Sequence, residues 1–412
     1  MSNMCSIVAP MRWSGQLISG NTDATETNDP DPGSGGVQRG LFEAPDTVVR
    51  TFDTPGFRGA TFYEVRAKSV LNKVPGASPM FGWTINPYRG CGHRCVYCFA
   101  RKTHTYLDFD AGLDFDTRIV VKVNAPEVLR RELARPSWHR EHVAMGTNVD
   151  CYQRAEGRYR LMPEIIKALA DSGTPFSILT KGTLMLRDLP LLEAAAKDVS
   201  VGLAMSIGSI DESVWRTVEP GTPSPARRLD AVRTLADAGL GCSVLMAPIL
   251  PFLTDSPEQL RQTVAAIAAA GARSVTPIVL HLRSGAREWY YEWLQATYPS
   301  LVPRYRALYR NGSYAPSWYQ DRITSAVREF AAAYGLVRPK TADIADAAGA
   351  GAGADTGSGT GSSTGSSTDT GSGTAAHQET GRFGNARKPP ARAAEPAQTQ
   401  PTLWDDEDLN PS

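Results

Sequence analysis

Between residues 82 and 280, short apolar runs rich in β-branched residues alternate with longer stretches whose apolar positions recur at helical spacing. This rhythm constrains the fold more than any other feature of the chain. The short runs are "GWTIN" (82–86), "HVAMGTN" (142–148), "FSILTK" (176–181), "VGLAMSI" (201–207), "CSVLMAPI" (242–249) and "SVTPIVL" (274–280). Between them lie "APEVLRRELAR", "LMPEIIKALADSG", "DLPLLEAAAKD", "SPARRLDAVRTLADAG" and "SPEQLRQTVAAIAAAGA". Several of these stretches end in Gly, as left-handed C-caps require, and two open on Ser-Pro, a capping residue ahead of a first-turn proline. Six strands alternating with helices predict a parallel sheet with right-handed crossovers. Periodicity leaves two architectures open, a doubly wound sheet and a full or partial (β/α) barrel. In both, function gathers at the C-terminal edge of the strands, where this chain places Asn86, Asn148, Lys181, Ser206 and His281.

The flanks differ from this core. Residues 1–60 read as an N-terminal extension, part of it disordered, because "GNTDATETNDPDPGSGG" is polar and turn-rich. "TFYEVRAKSVLNKVP" reads as a strand or lead-in, and the core spans 61–310. The aromatic segment 288–309 and the stretch 319–335 read as helices whose rings pack on the barrel, with 311–345 forming a C-terminal helical segment. Residues 346–412 are Gly-, Ser- and Thr-rich and cannot repay the entropy of ordering, so they read as a disordered tail. Lys plus Arg and Asp plus Glu both number 43, so global charge selects no partner. The N-terminal residues lack the apolar stretch of a signal peptide, and no run reaches membrane-spanning length, so the default compartment is the cytoplasm, with no membrane partner.

Half of the six cysteines lie within "NPYRGCGHRCVYCFAR" (86–101), as Cys91, Cys95 and Cys98. So few cysteines in so long a chain are no disulfide framework; the tight triplet, in a Gly- and Pro-rich loop, is what a metal or an iron–sulfur cluster asks for. Structural zinc wants four ligands, commonly as two pairs, and no second pair exists, although His93 sits inside the loop as a candidate fourth donor. Three thiolates suit a [4Fe–4S] cluster with one iron left open.

CxxxCxxC with Tyr97 ahead of the last cysteine resembles the signature of the radical S-adenosylmethionine (radical SAM) superfamily. The wider segment 86–101, with "GTNVDCYQRAEG", "ILTKGTLMLRDLPLL", "SIGSIDESVWRTVEPGTPSPARRLDAVRTLADAG" and "VLMAPILPFLTD", resembles the branch of spore photoproduct lyase and the DNA repair photolyase-like proteins, and within it the actinobacterial Rv2578c family. The likeness covers roughly residues 60–310. It implies a partial (β/α)6 barrel of the TIM type with the cluster on the loop after the first strand. Cys91, Cys95 and Cys98 would hold a [4Fe–4S] cluster, and the open iron would bind S-adenosylmethionine, whose one-electron cleavage gives a 5′-deoxyadenosyl radical. A reductant such as flavodoxin or ferredoxin is implied, and a nucleic-acid substrate is one reading; oligomeric state is not indicated.

Candidate cofactor contacts follow. Tyr97 would back the adenine. Thr147 and Asp150 follow the second strand, where a carboxylate either binds a ribose hydroxyl or caps a turn. Lys181 ends the third strand, either meeting the methionine carboxylate or forming a structural ion pair. Ser206 offers a polar contact at the end of the fourth. Glu219 would orient Arg227 or Arg228, and Arg283 either contacts an anionic ligand or is a surface charge. Spore photoproduct lyase uses a cysteine near the end of strand two as hydrogen donor; Cys151 is the candidate here, although the lyase-type position falls nearer Gly146, and its alternative role is a small apolar filler. Two other classes compete with an enzyme. One is an iron–sulfur electron-transfer protein without turnover. The other is a nucleic-acid-binding accessory protein using the basic and aromatic groups of "EVLRRELARPSWHREH" and "RYRALYRNG".

Overall fold

The computed structural model describes residues 47–52, 54, 57–74 and 81–336. The extension's polar stretch 20–36 and the tail 346–412 lie outside the described residues. Among the described residues, eleven strands form two sheets. They are β1 (Val48–Thr51), β2 (Thr61–Val65), β3 (Leu71–Lys73), β4 (Trp83–Ile85), β5 (Tyr88–Arg89), β6 (Arg118–Lys122), β7 (Val143–Met145), β8 (Phe176–Thr180), β9 (Val201–Ser206), β10 (Ser243–Ile249) and β11 (Ser274–Val279).

The larger sheet has the order β11-β10-β9-β8-β7-β4-β3. Each of the six apolar runs supplies one of its parallel strands, and β3 adds an antiparallel edge beside β4. From β4 to β11 the spatial order is the chain order. Right-handed crossovers that always step the same way put every helix on one face, so the other face curls in on itself. A doubly wound sheet would reverse direction once, and this one does not. The architecture is therefore a partial barrel of six parallel strands.

The helices form where the spacing predicts. In Leu161–Asp171 the buried residues include Leu161, Met162, Ile165, Ile166 and Leu169, one stripe facing the sheet. Each such aliphatic side chain contributes about 1.5–3 kcal/mol on burial. Ser224 and Ser256 cap the helices Pro225–Asp237 and Pro257–Ala269, the second through a full capping box with Gln259. The aromatics of 288–309 pack as a core: Tyr290, Tyr305 and Tyr309 are buried with adjacent ring centroids 5.5 and 6.0 Å apart. Helix Ser317–Ala333 covers β11 and the helix Pro257–Ala269.

The smaller sheet, of order β1-β2-β6-β5, departs from the sequence reading. Residues 48–51, assigned to the N-terminal extension, pair antiparallel with β2, and "RIVVK" (118–122) is a strand paired parallel with β2. Through β5, whose Tyr88 and Arg89 pair with Val121 and Val120, this sheet grips the chain just ahead of the first cysteine.

Candidate functional site

The cysteine loop leaves β5 and enters a 3-10 helix at Phe99–Leu107. Backbone bonds stitch it to distant segments: Cys91 N–H donates to Phe115 O (2.9 Å), Val96 N–H to Val218 O (3.0 Å) and Gly221 N–H to His93 O (3.0 Å). Two side chains that sequence reasoning passed over clamp it. Arg101, fully buried, donates to Cys95 O, Gly112 O and the Asp116 carboxylate. Gln153, also fully buried, accepts from Gly92 N–H (3.0 Å) and donates to Gly90 O (2.9 Å). Nothing local in the sequence marks either residue; closure of the fold gives them their partners.

The loop has two sides. Cys91, His93, Cys95, Tyr97 and Cys98 line a cavity of about 210 Å³, whereas Gly92 and Arg94 line a separate small hollow with Phe57, Asp116 and Arg154. Burial pushes all three thiols up, and at Cys91 the charge of Asp150 and the neighbouring thiols push the same way. Thiolates in such a place need a cationic acceptor. A metal-sulfur group supplies it, so the donor set fits an iron–sulfur cluster. Among the described residues, no three His, Cys, Asp or Glu side chains converge as the ligands of a single ion do. A cluster, which spreads its thiolates over different irons, asks for less convergence.

Polar groups from later strands face the same cavity. Asp150 caps a turn: its carboxylate accepts from Tyr152 N–H (2.9 Å), Thr180 Oγ1 (2.6 Å) and Lys181 N–H (2.7 Å), and His93 Nδ1 lies 3.3 Å away. Burial alone would raise this carboxyl, but His93 and the donated hydrogen bonds outweigh it and hold it at about 2. Lys181 Nζ donates to Ser206 Oγ and, at 3.4 Å, to Ala247 O, and stands 3.7 Å from Glu219 Oε1. Glu219 is the buried hub. It accepts from the Tyr97 hydroxyl and from Arg228, whose other nitrogen donates to Ser206 O (2.8 Å). Burial opposes ionisation of Glu219, yet the charges of Arg228 and Lys181 and these hydrogen bonds hold it at about 2. Of the two arginines proposed for it, Glu219 therefore pairs with Arg228.

Three candidates stand elsewhere. Thr147 is not among the residues lining the cavity, although Gly146, Asn148, Val149 and Asp150 are. Cys151 is fully buried and does not line it either; Asp150, Glu156, Tyr88 and Tyr152 stand near it. Gly146, at the lyase-type position, has φ +79°, and a Cβ there would sit 1.8 Å from Leu179 O, so no side chain fits without moving the backbone. The left-handed turn at Gly146 and the Asp150 cap break the alternation of β7, so the residues after it do not continue its inward and outward parity.

Arg283 is exposed and lies outside the lining. It belongs to a rim: its guanidinium is 5.7 Å from the Phe99 ring and donates to the Tyr314 hydroxyl (3.0 Å). His281 bridges the two rings, 5.9 Å from Phe99 and stacked 5.6 Å from Tyr314. Burial and the adjacent Arg283 lower the His281 pKa. Phe99 and His281 line the cavity, so the rim continues its wall, and Phe99 and Tyr314 are 38% and 54% exposed.

The Radical SAM superfamily profile matches residues 85–264. Over 328 residues the chain is 52% identical to the uncharacterized protein Rv2578c of Mycobacterium tuberculosis, an alignment covering 79% of this chain and 93% of that protein. It is 30% identical over 194 residues to the uncharacterized protein MJ0683 of Methanocaldococcus jannaschii, covering 47% of this chain and 69% of that one. Among solved structures, spore photoproduct lyase complexed with dinucleoside spore photoproduct superposes with a TM-score of 0.50 at 18% identity, over 66% of this chain and 79% of that one, a likeness of fold. Among the described residues, no helix is long and apolar enough to cross a membrane.

Proposed function

The chain belongs to the radical S-adenosylmethionine superfamily, and on that premise we propose that it is an enzyme that cleaves S-adenosylmethionine reductively at a [4Fe–4S] cluster and acts on a nucleic-acid substrate. When bound, cluster and cofactor supply a 5′-deoxyadenosyl radical, which abstracts hydrogen from the substrate. The observation that carries the reading is the convergence of three thiols, the Tyr97 ring and the strand-end groups Lys181 and Ser206 on one cavity.

In this proposal Cys91, Cys95 and Cys98 would hold the cluster. Lys181 binds the methionine carboxylate. An ammonium has three donors, and here only the contact to Ser206 is short; those to Ala247 O and Glu219 are 3.4 and 3.7 Å, so an arriving carboxylate offers a better partner. Tyr97 walls the adenine, its ring fixed because its hydroxyl is tied to Glu219. Leu179, Leu245, Ile278 and Leu280 keep the cavity apolar and exclude water from the reacting atoms. The Phe99, His281 and Tyr314 rim offers stacking faces for bases, and Arg283 a partner for phosphate. Return of hydrogen from a lyase-type cysteine is not part of the proposal, because position 146 carries no thiol and Cys151 does not reach the cavity.

The test is anaerobic reconstitution, then dithionite and S-adenosylmethionine with and without single-stranded oligonucleotides. Formation of 5′-deoxyadenosine, stimulated by oligonucleotide, supports the reading. A full, reducible cluster that leaves the cofactor intact favours an electron-transfer protein instead. Cleavage that no oligonucleotide stimulates removes nucleic acid as the substrate class.

A further inference from the structure

The cysteine loop lines two separate spaces. Residues 91, 93, 95, 97 and 98 face the cavity, while Gly92 and Arg94 face the small outer hollow. Gly92 and Arg94, the chain neighbours of Cys91 and Cys95, line the hollow, so the loop itself lies between the hollow and these thiols.

The exposed charges lining the hollow are of one sign; Asp116, which also lines it, is buried. Arg94 and Arg154 are exposed and line it, and Arg158, four residues on in the helix Arg154–Tyr159, is exposed over the Phe52 ring at 4.4 Å. The neighbouring acids are turned inward and engaged: Asp116 by Arg101, Glu156 by Arg187, and Glu219 by Arg228. The exposed arginines here, Arg94 of the loop and Arg154 and Arg158 of the helix beside it, thus face outward, while these carboxylates are paired inside. Phe57 gives the hollow an apolar floor. A basic ring around a small apolar patch fits an acidic protein, and complementary charge speeds and orients such an encounter.

We propose that the outer face of the cysteine loop, centred on Arg94 and Arg158, is the docking surface for an acidic one-electron carrier protein. The carrier's cofactor gives up one electron and the iron–sulfur group takes it; no bond forms or breaks and no proton is required. The inference rests on the proposed cluster but not on cofactor cleavage. The carrier differs from the substrate in its entrance, because the aromatic rim opens on the other side of the loop.

The experiment compares reconstituted wild-type protein with Arg94→Glu, Arg158→Glu and the double variant, with Arg94→Lys as the conservative control. Iron content and the cluster's absorbance establish that each variant is loaded. Bleaching of the cluster is then followed in stopped flow with reduced flavodoxin, an acidic carrier, and separately with dithionite, a small reductant. The expected result is a loss of roughly tenfold in the second-order rate with flavodoxin for the double variant, a weaker dependence on salt, near-normal rates for Arg94→Lys, and no change with dithionite. Unchanged flavodoxin rates and salt dependence in the loaded double variant overturn the assignment. Equal slowing with both reductants overturns it as well, since it marks a damaged cluster environment. Normal bleaching without cleavage of S-adenosylmethionine leaves this surface in place and removes the radical reading. A wild-type protein that takes up no cluster removes both.

Discussion

Two buried polar networks in this protein are built from the same residue types and do different things. One joins Tyr97, Lys181, Ser206, Glu219 and Arg228; the other joins Tyr88, Tyr152, Glu156, Arg187 and Asp188. Each has a buried glutamate hub bonded to a tyrosine hydroxyl and an arginine. The first sends Tyr97, Lys181 and Ser206 into the cavity, and the second contributes no lining residue. Glu156 instead accepts from Leu161 N–H and Met162 N–H, pinning the start of a helix. Residue chemistry alone does not distinguish a site from a brace. Whether the hub's partners reach the cavity wall does.

Substitutions sharpen the contrast, beginning with the loop that both networks support. Cys98→Ala should abolish cluster binding and, with it, cofactor cleavage, as iron and sulfide analysis will show; retention of a full cluster would mean another ligand replaces it. Next, Glu156→Ala leaves Arg187 with Asp188 as its remaining carboxylate partner and leaves the Tyr88 hydroxyl and two backbone N–H groups unpaired. It should cost about 3 kcal/mol or more in denaturant unfolding, since each buried polar group left without a partner costs about 1–3 kcal/mol. An unaffected midpoint would remove its bracing role. Lys181→Ala, in the other network, should leave iron content intact and slow cofactor cleavage by roughly 10–100-fold, the ~1.5–3 kcal/mol of one charge-assisted hydrogen bond.

The legible part of the structure was the part governed by local rules. All six parallel strands and their helices were readable because apolar runs, Ser-Pro caps and terminal glycines are written in consecutive residues. The cysteines were readable for the same reason. "RIVVK" was not, since β6 pairs with β2, far away in sequence, and its five residues carry no hairpin or crossover signal of their own. Arg101 and Gln153 were missed because their partners are backbone atoms of the loop, which no residue type announces. At Thr147, Cys151 and Arg283, the strand-end rule gave the correct edge of the sheet but not the side on which each chain emerges.

The two hubs should also part company in acid. Glu219 is held at about 2 against an ordinary 4.5, so its stabilisation is complete above pH 4.5 and is lost as pH falls through about 2. Glu156 is raised, chiefly by burial, so its ionisation costs stability above its folded pKa, and acidification toward 4.5 relieves that cost. Cluster-free Glu219→Gln should therefore have a flatter stability profile than the parent between pH 4.5 and about 2 in urea unfolding. A parallel profile would contradict the assignment. The smallest effect expected is that of Cys151→Ala: about 1 kcal/mol or less for one lost buried sulfur, with cofactor cleavage unchanged. A selective loss of product with normal cleavage would return this cysteine to the reaction.

The central claim is that the cavity beside the cysteine loop binds S-adenosylmethionine on an open iron of a three-cysteine cluster. Electron paramagnetic resonance of the reconstituted, reduced protein tests it most directly. The account predicts the signal of a reduced [4Fe–4S] cluster whose g values shift on adding S-adenosylmethionine, with the shift diminished in Lys181→Ala at equal iron content. A fully loaded, reducible cluster whose spectrum is indifferent to the cofactor at saturating concentration would contradict it.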